Sequence, residues 1–381
     1  MIYENGTLFA ETESFSRESQ FVYADIDVEM LMSERRKHTT FMTHLQKAEA
    51  QKFYRQIFFD MAEDTTLDNW SRPLSNVPFT PTTKLDARCK NIFAIQTTGL
   101  ARRMEHTHAD SLVIGISGGL DSTLALLVCA KACDYLGIDR THVIGVTMPG
   151  FGTSSRTHSN ADSLMKLLGC TCREISIVGP TKAMFEALGH DEANKNVVYE
   201  NAQARTRADI LFNVGNAEGA FVVGTGDLSE AALGWCTFGG DDLAHYNPNA
   251  SVPKTLVREL VKNIAATRGG DLGKVLTDIA ETPISPELVQ GQETEKSVGK
   301  YELIDFAMFF FAKRHAAYSD IKNLCLAVFE ELDEDEIVST LDRFYDRFKS
   351  NRFKRAAVFE GANLLGFSLP YFPADIDYEL I

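Results

Sequence analysis

Beyond Asp86 the chain alternates short apolar runs with longer segments of helical period. The spacing predicts a helix over 86–103, a strand over 111–116 and a helix over 122–136 stopped by Gly137. It then predicts a strand over 142–147, a helix over 155–168 stopped by Gly169 and a strand over 172–177. A helix over 197–217, Gly219 and a strand over 220–224 complete the series. Strands this short and apolar on both faces belong to a parallel sheet covered by helices. The fold class is therefore α/β, a doubly wound parallel sheet, with helical C-terminal additions from about Lys254. The segment 319–347 is acidic through Glu330, Glu331 and the run Asp333–Glu336, which reads as a solvated surface. The run Phe306–Ala312 reads as a buried helix.

Ahead of this region the pattern changes. Tyr3-Glu4-Asn5-Gly6 predicts a hairpin turn, and residues 6–11 and 19–28 alternate as strands. Two or three strands cannot bury a core alone, so they need another body, in the same protein or in a partner. Residues 30–64 read as a polar helix and connection. Residues 65–83 read as irregular, because Pro73, Pro78 and Pro81 break any helix. The main boundary falls near Leu85. No internal repeat is visible.

A length of 381 residues suits two or three structural units. The formal net charge of -15 argues against a non-specific nucleic-acid binder, which would be basic, but leaves small anionic substrates open. The cysteines are Cys89, Cys129, Cys133, Cys170, Cys172, Cys236 and Cys325, with no CxxC pair that would suggest zinc. Cys129 and Cys133 lie one turn apart on an apolar helix and read as buried thiols, which fits a reducing cytosol. The first residues lack a basic region and an apolar core, so no signal peptide is expected. No stretch approaches the roughly 18 apolar residues that a membrane span needs. A cytoplasmic protein without a membrane or nucleic-acid partner is expected.

The chemistry concentrates in Ser117-Gly118-Gly119-Leu120-Asp121-Ser122, between the strand ending at Ile116 and the helix that follows. A strand–turn–helix of this kind aims backbone N–H groups and a helix N-terminus at one point, where an anion binds. Glycines let the backbone approach a phosphate, and Ser117 and Ser122 add hydroxyls. Asp121 would repel a phosphate, unless a divalent cation bridges the two. A Walker A loop would end in Gly-Lys-Ser/Thr, and the dinucleotide fingerprint would space its glycines G-x-G-x-x-G. Gly115, Gly118 and Gly119 satisfy neither. Two further loops should reach the same sheet edge: Pro149-Gly150-Phe151-Gly152-Thr153 and Gly224-Thr225-Gly226-Asp227.

The six-residue loop resembles the SGGxDS loop of ATP pyrophosphatases, ligases that release AMP and pyrophosphate. The likeness narrows with three segments in order: Tyr199–Arg207 (YENAQARTR), Gly224–Glu230 (GTGDLSE) with Leu233-Gly234-Trp235, and His245–Thr255 (HYNPNASVPKT). Over about 86–356 the chain resembles NAD+ synthetases, most closely the longer, glutamine-dependent kind. Residues 1–32 resemble the last strands of the nitrilase-like glutaminase domain that precedes the synthetase there. The resemblance implies a division into that remnant (1–32), a linker region (33–85) and a synthetase domain of the adenine-nucleotide α-hydrolase, Rossmann-like type (86–381). The Glu, Lys and Cys of the glutaminase triad would lie upstream, and no cysteine precedes Cys89, so glutamine hydrolysis is not expected of this chain.

The implied reaction adenylates the nicotinate carboxylate of deamido-NAD with ATP and releases pyrophosphate. Ammonia then displaces AMP and leaves NAD. The missing glutaminase domain is the implied ammonia source, and a homo-oligomer is implied by the family. ATP would meet Gly115, Ser117, Gly118, Gly119, Asp121, Ser122, Thr225, Lys254 and Ser285, the last in place of a usual threonine. Asp121 and Glu230 would hold Mg2+, and with Lys254 they form the implied catalytic set. Asn201, Arg205, Glu230, Trp235 and Lys354 would contact deamido-NAD. Several of these residues have plainer readings. Glu230 and Asp121 suit the first turn of a helix, and Arg205 could pair with Asp209. Trp235 could fill the core, and Lys354 could belong to a basic surface. Phe238 and His245 stand where the shorter, ammonia-only synthetases have lysine and aspartate, which supports the longer kind. His245 reads as a neutral loop histidine. Rival readings are another ATP-pyrophosphatase amidotransferase such as a GMP synthetase, a non-catalytic nucleotide sensor, and an interaction module using the acidic tail.

Overall fold

The structure, a computed structural model, describes residues 1–37, 55, 57, 58, 72, 74–153, 155–284, 294–357, 360–365 and 369. Those residues fall into two compact units. One lies within Met1–Asn76 and Phe306–Val338, the other within Val77–Asp305 and Ser339–Pro373.

In the first unit, strands β1 (Ile2–Glu4) and β2 (Thr7–Ala10) form an antiparallel hairpin. Asn5 and Gly6 turn it, with φ of 44° and 82°. Two positive φ values suit the twist of a tight hairpin, and glycine and asparagine tolerate them best. The second expected strand, over 19–28, is not formed. Asp27 accepts the Met30 N–H at 2.8 Å and starts helix α1 at Val28. The Asp27 N–H in turn donates to the buried Glu4 carboxylate at 2.7 Å. Burial would raise the Glu4 pKa, but Arg72, hydrogen-bonded to both its oxygens, and the Asp27 N–H bring it below the usual value. The apolar run near residue 306 is buried as expected, with Phe306, Ala307, Met308, Phe311 and Ala312 all inside.

The second unit carries the sheet. Its elements in order are α2 (Leu85–Thr107), β3 (Leu112–Gly115), α3 (Leu120–Leu136), β4 (Val143–Thr147) and α4 (Ser155–Leu168). Next come β5 (Thr171–Glu174), α5 (Val178–Leu188), α6 (Val197–Glu218), β6 (Phe221–Val223) and α7 (Leu228–Leu233). Helices α8 (Lys254–Arg268) and α9 (Gly270–Glu281) follow. The strand order is β5-β4-β3-β6 and every pair is parallel.

Alternate side chains of β3 enter opposite layers. Leu112 and Ile114 join the cluster of α2, α3, α8 and α9, including Leu124, Val128, Leu256 and Leu276. Val113 joins Ile144, Val146 and Val222 on the other face, covered by Leu211 and Phe212 of α6. Both faces are dry, as the apolar strands require. Helix α3 is apolar nearly all round and accordingly buried, and Gly137 ends it in a left-handed cap.

From β3 the chain moves outward to β4 and β5, then returns to place β6 on the other flank of β3. Connections that leave in opposite directions open a crevice beyond the C-terminal ends of β3 and β6. The loops 116–119 and 224–227 both leave from that crevice.

Candidate active site

A cavity of about 490 Å³ lies at this crevice, formed by residues of the second unit. Gly115, Ser117, Gly119, Asp121 and Ser122 line one side, and Thr225, Gly226 and Glu230 another. Gly118 has φ of +83°, and a Cβ there would meet the Thr157 carbonyl oxygen at 2.0 Å. Glycine is therefore required twice over, by conformation and by space. Within the loop, the Gly119 N–H donates to Ser117 Oγ at 3.1 Å, and the Ser117 and Ser122 hydroxyls meet at 3.1 Å. Helix α3 begins immediately after, and its first-turn N–H groups lack intrahelical acceptors.

The β6 loop is closed by a capping box. Asp227 accepts the Glu230 N–H at 2.7 Å, and Glu230 accepts the Asp227 N–H at 3.3 Å. The spelling Asp-Leu-Ser-Glu was the sequence signal for this helix start and for Asp227, which sequence reasoning did not select. Two buried asparagines brace the loops. Asn249 donates to the carbonyls of Asp121 and Thr225, at 3.0 Å each. Asn247 donates to Gly226 O at 2.7 Å and accepts the Asn249 N–H at 2.8 Å. Gln96, from α2, donates to Pro248 O at 2.9 Å and to Asn249 Oδ1 at 3.1 Å. The polar Asn-Pro-Asn stretch hinted at such a role.

Three carboxylates and one ammonium meet beside the glycine loop. Lys254 Nζ lies 2.6 Å from Asp121 Oδ2, 2.8 Å from Asp227 Oδ2 and 2.9 Å from Glu230 Oε1. Lys254, expected to meet ATP, is fully buried and does not line the cavity, because its ammonium is drawn in among these three carboxylates. Burial alone would lower the lysine pKa, but the three acids outweigh it and hold the ammonium charged. Burial, against the pull of Lys254, raises Glu230 to about 7 and raises Asp227 well above its usual range. Behind them, Asp305 fixes the starts of α7 and α8. It accepts the Ser229 hydroxyl, and the Thr255 N–H and hydroxyl at 2.9 and 2.7 Å, while Ser229 Oγ accepts the Lys254 N–H at 2.9 Å.

The donor set suits a hard divalent cation. One oxygen from each of Asp121, Asp227 and Glu230 lies within 4.8 Å of the others. Asp121 Oδ1 is buried without a hydrogen-bond partner. Oxygen-only carboxylate ligation is what Mg2+ takes.

The remaining expected residues divide. Asn201, Trp235 and Lys354 line the cavity. Asn201 Oδ1 accepts the Thr237 hydroxyl at 2.8 Å. Trp235 is half-buried with the Arg347 guanidinium 4.9 Å from its ring centroid, so it is not simple core filling. Lys354 Nζ donates to the carbonyls of Gly234 and Cys236, both at 2.7 Å, and so is held inward rather than on a basic surface. Arg205 is exposed, is not part of the cavity wall, and donates to Phe238 O at 3.1 and 3.3 Å. Arg207 lines the cavity instead, with Met148 and Leu211. Ser285 lies outside the described residues. His245 Nδ1 accepts the Val222 N–H at 3.0 Å, and burial lowers its pKa, which fits a neutral, structural ring.

A glycine loop, an acidic cluster and a cavity at the switch point of a parallel sheet define an α/β nucleotide-site architecture. A family model described as NAD synthase matches residues 92–357, and the chain belongs to that family. It is 40% identical to a glutamine-dependent NAD(+) synthetase of Mycobacterium leprae over 81% of this chain and 48% of that protein. It is 31% identical to an NH(3)-dependent NAD(+) synthetase of Pyrobaculum aerophilum over 57% of this chain and 76% of that protein. The chain thus spans about half the length of its mycobacterial glutamine-dependent relatives, at 48%. The fold is shared with a glutamine-dependent NAD(+) synthetase from Cytophaga hutchinsonii at a TM-score of 0.61 and 16% identity, covering 75% of this chain and 54% of that one. It is also shared with an NMN synthetase from Francisella tularensis at a TM-score of 0.53 and 23% identity, covering 70% and 95%. Among the described residues no helix is long and apolar enough to cross a membrane.

Proposed function

We propose that this chain makes NAD from deamido-NAD, ATP and ammonia. The carrying observation is the cavity at the ends of β3 and β6, which Asp121 and Glu230 face beside the glycine loop. A carboxylate oxygen is a poor leaving group, so the nicotinate acid is first joined to AMP. The nicotinate oxygen attacks the α-phosphorus and pyrophosphate leaves. The amides and hydroxyls of Ser117, Gly118, Gly119 and Ser122 meet the negative charge that develops on the leaving group. Thr225 reaches the nucleotide from the opposite loop. Asp121 and Glu230 hold Mg2+, which neutralises phosphate charge when bound. Asn201, Trp235 and Lys354 orient the nicotinate half; the roles the resemblance implies for Arg205 toward deamido-NAD and for Ser285 toward the phosphates complete the reading. Ammonia then attacks the acyl carbon and AMP departs. Lys254, held behind the acids, keeps Asp121 and Glu230 in place.

In this reading residues 1–32 are the tail of a nitrilase-like glutaminase domain, 33–85 a linker region and 86–381 the synthetase, in a cytoplasmic homo-oligomer. The test follows NAD formation and pyrophosphate release by the purified chain with ATP, Mg2+ and ammonium. Asp121→Ala should lose both about 10²-fold or more while its circular dichroism is unchanged. Turnover of a xanthylate substrate in place of deamido-NAD, or parental rates in Asp121→Ala, would overturn the assignment.

A further inference from the structure

Lys254 opens helix α8, where the free N–H groups of the first turn disfavour a cation. Its burial therefore needs the acids around it, and those acids are not equivalent. Asp121 and Glu230 line the cavity and keep 20% and 23% of their side chains exposed. Asp227 has 0% exposed and stands with the lysine behind the wall. Yet the ammonium hydrogen-bonds to the two that face the cavity, at 2.6 and 2.9 Å. With every group ionised, three carboxylates and one ammonium leave a formal charge of -2, the complement of a divalent cation.

We propose that the Lys254 ammonium, retained by Asp227 behind the cavity wall, is the resident counter-cation of this cluster and competes with a divalent cation for Asp121 and Glu230. The proposal rests on the reading that those two carboxylates hold the ion. The cluster then holds a free ion weakly, and a triphosphate that adds its own oxygens shifts the competition. Ion and nucleotide therefore enter together.

The experiment titrates Mn2+ into the full chain without nucleotide, reading free Mn2+ by its paramagnetic resonance signal. Lys254→Met should bind Mn2+ about tenfold tighter or better. Asp227→Asn should bind more weakly, because the ammonium then leans wholly on the other two acids. The double variant Lys254→Met/Asp227→Asn carries the same formal charge as the parent at the cluster and replaces a buried pair by neutral groups of similar size, the gentlest change for folding. It should still bind tighter than the parent, since the competitor is gone. A double variant that is folded by its thermal melt but binds no tighter than the parent overturns the proposal. Failure of the underlying reading has a separate signature. Glu230→Gln would then leave Mn2+ binding unchanged in every background, with and without ATP, which sinks both.

Discussion

At the scale of single residues, two backbone and side-chain commitments are sharp enough to test alone. Gly118 combines a left-handed φ of +83° with a Cβ position 2.0 Å from a backbone carbonyl oxygen. Gly118→Ala should cost at least about 2 kcal/mol and displace the loop. A lower melting temperature with loss of ATP binding checks this. Gly119 has an ordinary φ of -88°, and its Cβ would meet only Ser117 Oγ, at 3.2 Å. Gly119→Ala should therefore fold with a loss of about 1 kcal/mol or less. Asp305 gives a pH signature. Burial, opposed by the Ser229 and Thr255 hydrogen bonds, raises its carboxyl from 3.8 to about 6. Between those values the folded chain keeps a proton that the unfolded chain has lost. This contribution is present at low pH, fades as pH rises through about 6 and is flat above. The change amounts to about 3 kcal/mol at most. Asp305→Asn should flatten that part of the stability profile, and melts taken across mildly acidic pH measure it.

At the scale of elements, the loops depend on braces from far along the chain. Asn249 ties Asp121 to Thr225, 128 and 24 residues away, through two hydrogen bonds. Asn249→Ala leaves both carbonyls without that donor and should cost about 2–4 kcal/mol. Asn249→Asp should be worse, because a carboxylate oxygen would face two carbonyl oxygens. A raised KM for ATP with a smaller change in kcat would mark loosened loops in whichever variant folds. These long-range partners also explain what the sequence left hidden. The helices ending at Gly137, Gly169 and Gly219 were legible, because glycine stops and apolar runs are local signals. Helix Val178–Leu188 has no counterpart among the expected elements; it carries Gly179 and Pro180 in its first turn, where proline is tolerated. The strand expected over 19–28 alternates correctly, but Asp27 caps a helix there. In the site, Asp121, Asp227, Glu230 and Asn249 all stand inside motifs, and Asp227 carries a local capping signal, whereas Asp305 acquires meaning only from distant partners. The same applies to the lysine–carboxylate contact spanning 133 residues.

At the scale of the molecule, the question is which nitrogen donor this chain can use. Releasing ammonia from glutamine needs a strong nucleophile, typically a cysteine thiolate beside a base. The cavity contains one cysteine among its described lining residues, Cys236. Burial, with Asp241 adding to it, pushes that thiol up to about 12, so it stays protonated near neutral pH. The thiols of Cys133 and Cys170 are likewise pushed up by burial, to about 11 and about 12, inside the core. The exposed Cys172 is also raised, again by burial, and lies outside the cavity wall. None of these environments makes a thiolate. The cavity and its acid cluster belong to one compact unit, so the proposed adenylation would draw on residues of that unit. The purified chain should therefore form NAD with ammonium chloride and stay at background with glutamine. Because the free amine is the nucleophile, the KM for total ammonium should fall as pH rises. Cys236→Ala should leave the ammonium-driven rate within about twofold, since a neutral buried thiol contributes packing rather than chemistry. A glutamine-driven rate matching the ammonium-driven one, abolished by Cys236→Ala, would show that the thiol has been misjudged and that the cavity performs both reactions.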